Sequence, residues 1–134
     1  MALVHHELCF GCGRTNLFGL LLEAERTGSD AVAGRCFVKQ DHQGSHRGLV
    51  HEGILATAMV EAMAFACVPD ADLEIYLRRL EVRVDTLVGV GQFIDVEARL
   101  ERREGSELHA TASAKTEADY VCSASGSFAL WQKT

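Results

Sequence analysis

Three groups of residues in this chain have side chains that do chemistry, at spacings chemistry uses. The first opens the sequence, where His5 and His6 precede Cys9-Phe10-Gly11-Cys12. Two thiols separated by two residues are a zinc spacing, but a closed zinc site needs four ligands and no second CxxC follows. His5 or His6 would have to complete such a site, with a residue of a second subunit as a further source. The plainer reading is a buried thiol pair in a tight turn. The second group lies in LVHEGILATAMVEAM, residues 49–63, where His51 and Gly53 stand at the entry of an apolar helical run containing a single acid, Glu61. A lone acid in such a run is either a catalyst or a structural carboxylate held by an arginine or a backbone N–H at a subunit seam. His51 either orients the helix entry or meets a substrate carbonyl. The third group is polar: Ser45, His46 and Arg47 in one loop, then the pairs Arg78-Arg79 and Arg102-Arg103. A loop histidine is suited to general base work near neutral pH, and arginine forks suit phosphate. Solvated loops and solvated strand ends are the ordinary alternatives.

The chain that must position these groups has 134 residues, enough for one domain with one core. With 48% hydrophobic and 24% charged residues it has the composition of a globular chain. A net charge of -6 argues against general nucleic-acid binding, since no global positive field attracts phosphates, though a local basic pocket for a small anion is compatible with it. No apolar run is long enough to span a bilayer, and the N-terminus has no basic segment followed by a long apolar stretch. Five cysteines, an odd count without disulfide-scaffold spacing, fit a reducing compartment, so a cytoplasmic protein is expected.

Residues 19–26 and 31–38 read as two strands joined at Gly28-Ser29-Asp30, and 39–48 as a polar loop. Residues 52–67, rich in Ala and Met, read as a helix closed by Pro69. Beyond it, Leu80, Val82 and Val84 alternate with charged residues, and the same period of two recurs from Ile94 to Glu101, from Leu108 to Lys115 and through 120–131. Turns fall at Gly89/Gly91 and at Glu104-Gly105-Ser106. Alternation of this kind predicts an antiparallel sheet with one buried face. A helix apolar on nearly all sides must be buried on nearly all sides, so the sheet is expected to curl round it. Its edge strands then call for a partner, and a homo-oligomer is the usual remedy.

Two stretches resemble a known family. CFGCGRTNLFGLLLE, residues 9–23, and HQGSHRGLVHEGILATAMVEAMAFA, residues 42–66, are similar to the paired motifs of hotdog-fold acyl-CoA thioesterases of the PaaI-like group. The resemblance spans essentially the whole chain. It implies an α+β hotdog domain over 1–134, with 1–17 as a lead-in and Asn16 and Gly19 fixing a turn and the first strand. It also implies a dimer or dimer of dimers with clefts between subunits, an acyl-CoA or related acyl thioester as ligand, and no cofactor. The oxyanion donor carried over from the family is the backbone N–H of Glu52, where the family usually has Gly. The family's helix places an acid nine residues after the histidine, and here that position is Val60. Glu61, one residue on, is rotated by about 100° round the helix. Glu61, His51, Glu52 and His46 are therefore the candidate catalytic residues. Ser45, Arg47, Gly53, Thr57, Val60, Arg78 and Arg79 are the candidates for substrate binding, and Met59, Met63 and Phe65 either line an acyl pocket or fill the core. Two functions follow: hydrolysis of an acyl thioester or, because of Val60, acyl-CoA binding without turnover. Hydratase chemistry, which needs a paired histidine and acid, ranks last because His51 and Glu61 are poorly spaced for it.

Overall fold

The computed structural model describes residues 2–68 and 74–131. Strands β1 (Glu23–Gly28) and β2 (Ala31–Phe37) form a hairpin, followed by helix α1 (Glu52–Cys67). Strands β3 (Ile75–Val84), β4 (Phe93–Glu104), β5 (Glu107–Lys115) and β6 (Tyr120–Leu130) complete the chain. All pairings are antiparallel and give one sheet in the order β1-β2-β4-β5-β6-β3. The helix limits agree with those expected from the sequence; Pro69, expected to close it, lies outside the described residues.

The first strand is shorter than expected. Residues 19–22 do not enter the sheet: the N–H groups of Leu20 and Leu22 donate to the carbonyls of Phe10 and Gly11 instead. Leu21 sits at φ 51°, which takes the backbone out of the extended region there. The physical reason is competition for backbone partners, and the lead-in segment wins these two. Residues 39–48 are also more ordered than a plain loop. A 3-10 turn spans Gln40–His42, and a β-bridge between Gln43 and Val50 closes a small hairpin.

The helix lies in the concave face of the sheet and packs against β2, β3, β4, β5 and β6. Leu55, Ala58, Met59, Ala62, Met63, Phe65, Ala66 and Cys67 are buried, which covers most of its circumference. Small residues opposite make this close approach possible. Ala110, Ala112 and Ala114 of β5 and Ala124 of β6 are buried, and the Met59 Sδ lies 3.7 Å from the Cys122 Sγ. At Gly126 a Cβ would stand 3.4 Å from the Met63 Cε, so the glycine leaves room for a long core side chain. The last helical carbonyls are satisfied from the sheet: the Arg26 guanidinium donates to the carbonyls of Phe65 and Val68.

Candidate functional site

Two polar sites flank this helix. The first is its N-terminus. His51 is the N-cap, and its Nδ1 accepts a hydrogen bond of 2.8 Å from the Gly53 N–H. That bond requires an unprotonated Nδ1, which places the ring proton on Nε2. The His51 N–H donates to the His42 carbonyl at 2.8 Å, and the Gly44 N–H donates to the Leu49 carbonyl. The 43–50 hairpin is therefore clamped against the helix entry. Gly44 is needed for that approach, since a Cβ there would come within 2.9 Å of the His51 Cα. With Gly53 capped by His51 and Ile54 bonded to the His51 carbonyl, the Glu52 N–H has no acceptor among the described residues.

The helix entry and the hairpin bring Ser45, His46, Arg47, His51, Glu52, Gly53 and Thr57 to one end of the molecule. Ser45, His46, Arg47, His51 and Glu52 are exposed. Thr57 donates back to the Gly53 carbonyl at 2.8 Å, so its hydroxyl is engaged within the helix. Val60 is partly buried and packs on the core. Arg78 and Arg79 stand apart, on edge strand β3. Arg78 lies 3.8 Å from Glu107, and Arg79 lines an open cleft on the outer face of the sheet with Arg102, His109 and Ser127. A second outer-face cleft, lined by Glu97, Arg99, Thr111 and Ser113, holds none of the candidates.

One residue at the helix entry was not singled out from the sequence. His42 is only 3% exposed, its Nδ1 accepts from the Lys39 N–H at 3.1 Å, and its carbonyl holds the N-cap. Its Nε2 is buried without a hydrogen-bond partner among the described residues. Burial first, and the Lys39 charge second, hold its pKa below the ordinary histidine value. The readable signal was its place in HQG, directly before the small hairpin.

The second site lies nine residues further along, about 14 Å down the helix axis. There Glu61, with its side chain 12% exposed, meets the N-terminal lead-in. The His5 Nδ1 is 2.7 Å from Glu61 Oε1, and the Cys9 thiol donates to the same oxygen at 3.0 Å. The Cys12 Sγ is 3.5 Å from His5 Nδ1 and accepts the His5 backbone N–H at 3.1 Å. Burial opposes ionisation of Glu61, but hydrogen bonds from His5, Cys12 and Cys9 outweigh it and hold the carboxyl below its usual pKa. Burial, and then the Glu61 carboxylate, push the Cys12 thiol far above the ordinary range. His6 is not part of this cluster; its Nδ1 accepts from the Leu8 N–H. The remaining cysteines are core residues. Burial pushes the thiols of Cys36 and Cys67 up to about 12 and that of Cys122 to about 11.

The architecture has clear counterparts among solved structures. A conserved protein of Pseudomonas aeruginosa superposes with a TM-score of 0.77 at 19% identity, over 91% of this chain and 96% of that one. The Escherichia coli PaaI protein of the phenylacetic acid degradation operon does so with a TM-score of 0.76 at 14% identity, over 86% and 83%. A hypothetical thioesterase of Streptococcus pneumoniae, solved with coenzyme A, gives a TM-score of 0.75 at 12% identity, over 84% and 90%. The fold is the hotdog fold of these neighbours. No protein-family model and no curated protein matches the sequence. In hotdog terms α1 is the central helix, and the first polar site is its mouth. No helix among the described residues is long and apolar enough to cross a membrane.

Proposed function

We propose that the protein hydrolyses acyl thioesters of coenzyme A or a related carrier at the mouth of α1. The observation that carries this reading is the Glu52 N–H, without an acceptor among the described residues at the start of a buried helix while its neighbour Gly53 is capped. A thioester carbonyl oxygen accepts from that N–H, and the positive end of the helix dipole stabilises the negative charge as water attacks. His51 is a positioning residue: it caps Gly53 and fixes the entry. His46, exposed at the tip of the hairpin, is the base that takes the proton from water. It is preferred to Glu61, whose carboxylate is already hydrogen-bonded to His5 and Cys9. Ser45 helps hold the water, and Arg47 meets the phosphates. Coenzyme A is supported as the ligand class by the streptococcal neighbour solved with it.

The working unit is a homo-oligomer in a reducing cytoplasm. Edge strand β3 leaves ten residues of backbone open along one side. Leu8, Leu17 and Phe18 are strongly exposed in the lead-in, an apolar surface suited to a second copy.

The decisive test exploits the cap geometry. Glu52 is the first helical residue, where proline is well tolerated, and His51 before it has φ −61° and ψ 131°, a conformation that precedes proline comfortably. Glu52→Pro thus removes the N–H and little else, whereas Glu52→Gly keeps it. Release of free thiol from short, long and aromatic acyl-CoAs should survive in Glu52→Gly and collapse in Glu52→Pro. Equal rates in the two variants would sink the mechanism, and His46→Ala tests the base.

A second reading, acyl-CoA binding without turnover, is favoured by Val60 in the position nine residues after His51 and by the engagement of Glu61. Saturable binding with no thiol release on any substrate would select it.

A further inference from the structure

We propose that His5, Cys9, Cys12 and Glu61 bind one zinc ion, which ties the N-terminal lead-in to helix α1. These four residues each offer one ligand atom, and all four atoms lie within 4.8 Å of one another. A tetrahedral zinc site with ordinary bond lengths has edges of about 3.3 to 3.8 Å between ligand atoms. The His5 Nδ1 is 3.5 Å from Cys12 Sγ and 3.8 Å from Cys9 Sγ, already at those edges. The Glu61 Oε1 is nearer, 2.7 Å from His5 Nδ1 and 3.0 Å from Cys9 Sγ, so the carboxylate must draw back from both to admit an ion.

The pattern of contacts separates this arrangement from a catalytic relay. A Cys–His–Glu relay uses both ring nitrogens, one toward the thiol and one toward the carboxylate. Here both thiols and the carboxylate face the same nitrogen, Nδ1. A single nitrogen donates one proton to one partner, so three converging donor atoms are better served by a cation at their centre. Two sulfurs, one imidazole and one carboxylate form a mixed set of soft, borderline and hard ligands that zinc accepts, and four protein ligands close the site.

The surroundings are built to hold the ligands in place. His5 stacks on Phe65 at 4.1 Å with an interplanar angle of 11°. Its backbone N–H donates to the Cys12 sulfur, a bond that steadies a metal-bound thiolate. The Gly13 N–H donates to the Cys9 carbonyl and closes the turn. Gly11, between the cysteines, is required: a Cβ there would fall 2.5 Å from the Glu61 Cδ. The turn leaves a space into which a carboxylate from 50 residues away inserts.

The test uses full-length protein bearing no histidine tag. Metal analysis of the purified protein should give one zinc per chain. Replacement by cobalt(II) should produce the near-ultraviolet sulfur-to-metal charge-transfer band, lost in Cys9→Ser and retained in His6→Ala. Wild-type protein should also lose thermal stability under a strong chelator and regain it with zinc, a readout that needs no variant to fold. Folded wild-type protein that takes up no zinc and gives no cobalt band overturns the proposal, as does a Cys9–Cys12 disulfide as its resting form. Metal content is independent of turnover: Glu52→Pro should keep its zinc while losing hydrolysis, so failure of one reading is distinguishable from failure of the other.

Discussion

The mouth of α1 and its middle carry polar chemistry in opposite states. At the mouth, Glu52 and His46 are exposed, and a backbone donor has no acceptor among the described residues. Further along, Glu61 and Cys12 are largely buried, with Glu61 Oε1 bonded to His5 and Cys9 and the Cys12 sulfur facing His5. The difference teaches where to look for a reaction. Groups that must meet a substrate remain available, whereas groups that hold a structure together are already spoken for. By that criterion a buried acid on the central helix is weaker evidence for catalysis than an unbonded N–H at its start.

Perturbing each site separately should give non-overlapping losses. The largest expected effect belongs to the mouth: Glu52→Pro should lower kcat by about 10²–10³-fold, in line with removal of one oxyanion donor, with its melting temperature and zinc content near those of the wild type. If Glu61→Gln produced the greater loss of kcat at full zinc loading and unchanged stability, the assignment of roles would be reversed. Next comes the buried cluster. Gly11→Ala drives a methyl group into the Glu61 carboxylate and should cost about 1–3 kcal/mol in denaturant unfolding, with loss of bound zinc. His51→Ala removes the N-cap and should cost about 1 kcal/mol, with zinc retained.

The smallest effect is a pH dependence at the mouth. The His42 pKa is depressed by burial and by Lys39, so its contribution is fully present above the unfolded value of about 6.5 and is lost as pH falls through it toward the folded pKa. Urea midpoints measured on either side of that value should fall on the acid side, and more steeply in the wild type than in His42→Asn. An equal slope in both proteins would remove His42 from the helix entry's pH response.

The fold was legible because its signals are local. Period-two alternation marked β4, β5 and β6, and the continuous apolar character of residues 52–67 marked a helix that only a curved sheet could cover. The helix mouth was legible for the same reason: His51, Glu52 and Gly53 are neighbours in sequence. The start of β1 was misplaced because Leu20 and Leu22 have strand-like types but give their N–H groups to Phe10 and Gly11, a competition no local pattern reveals. The buried cluster was only half legible. Its cysteines and His5 read as ligand chemistry, but one member was missing.

The sequence by itself determined the element order, the identity of the central helix and the residues at its mouth, since each depends on contacts within a few positions. Only the tertiary structure decided what Glu61 touches. His5 and Glu61 are 56 residues apart, and their 2.7 Å contact depends on how the lead-in crosses the helix. It depends too on Gly11 leaving the space between the cysteines. Such a contact follows from packing, because the free energy that holds the carboxylate there comes from groups brought together only when the chain has closed.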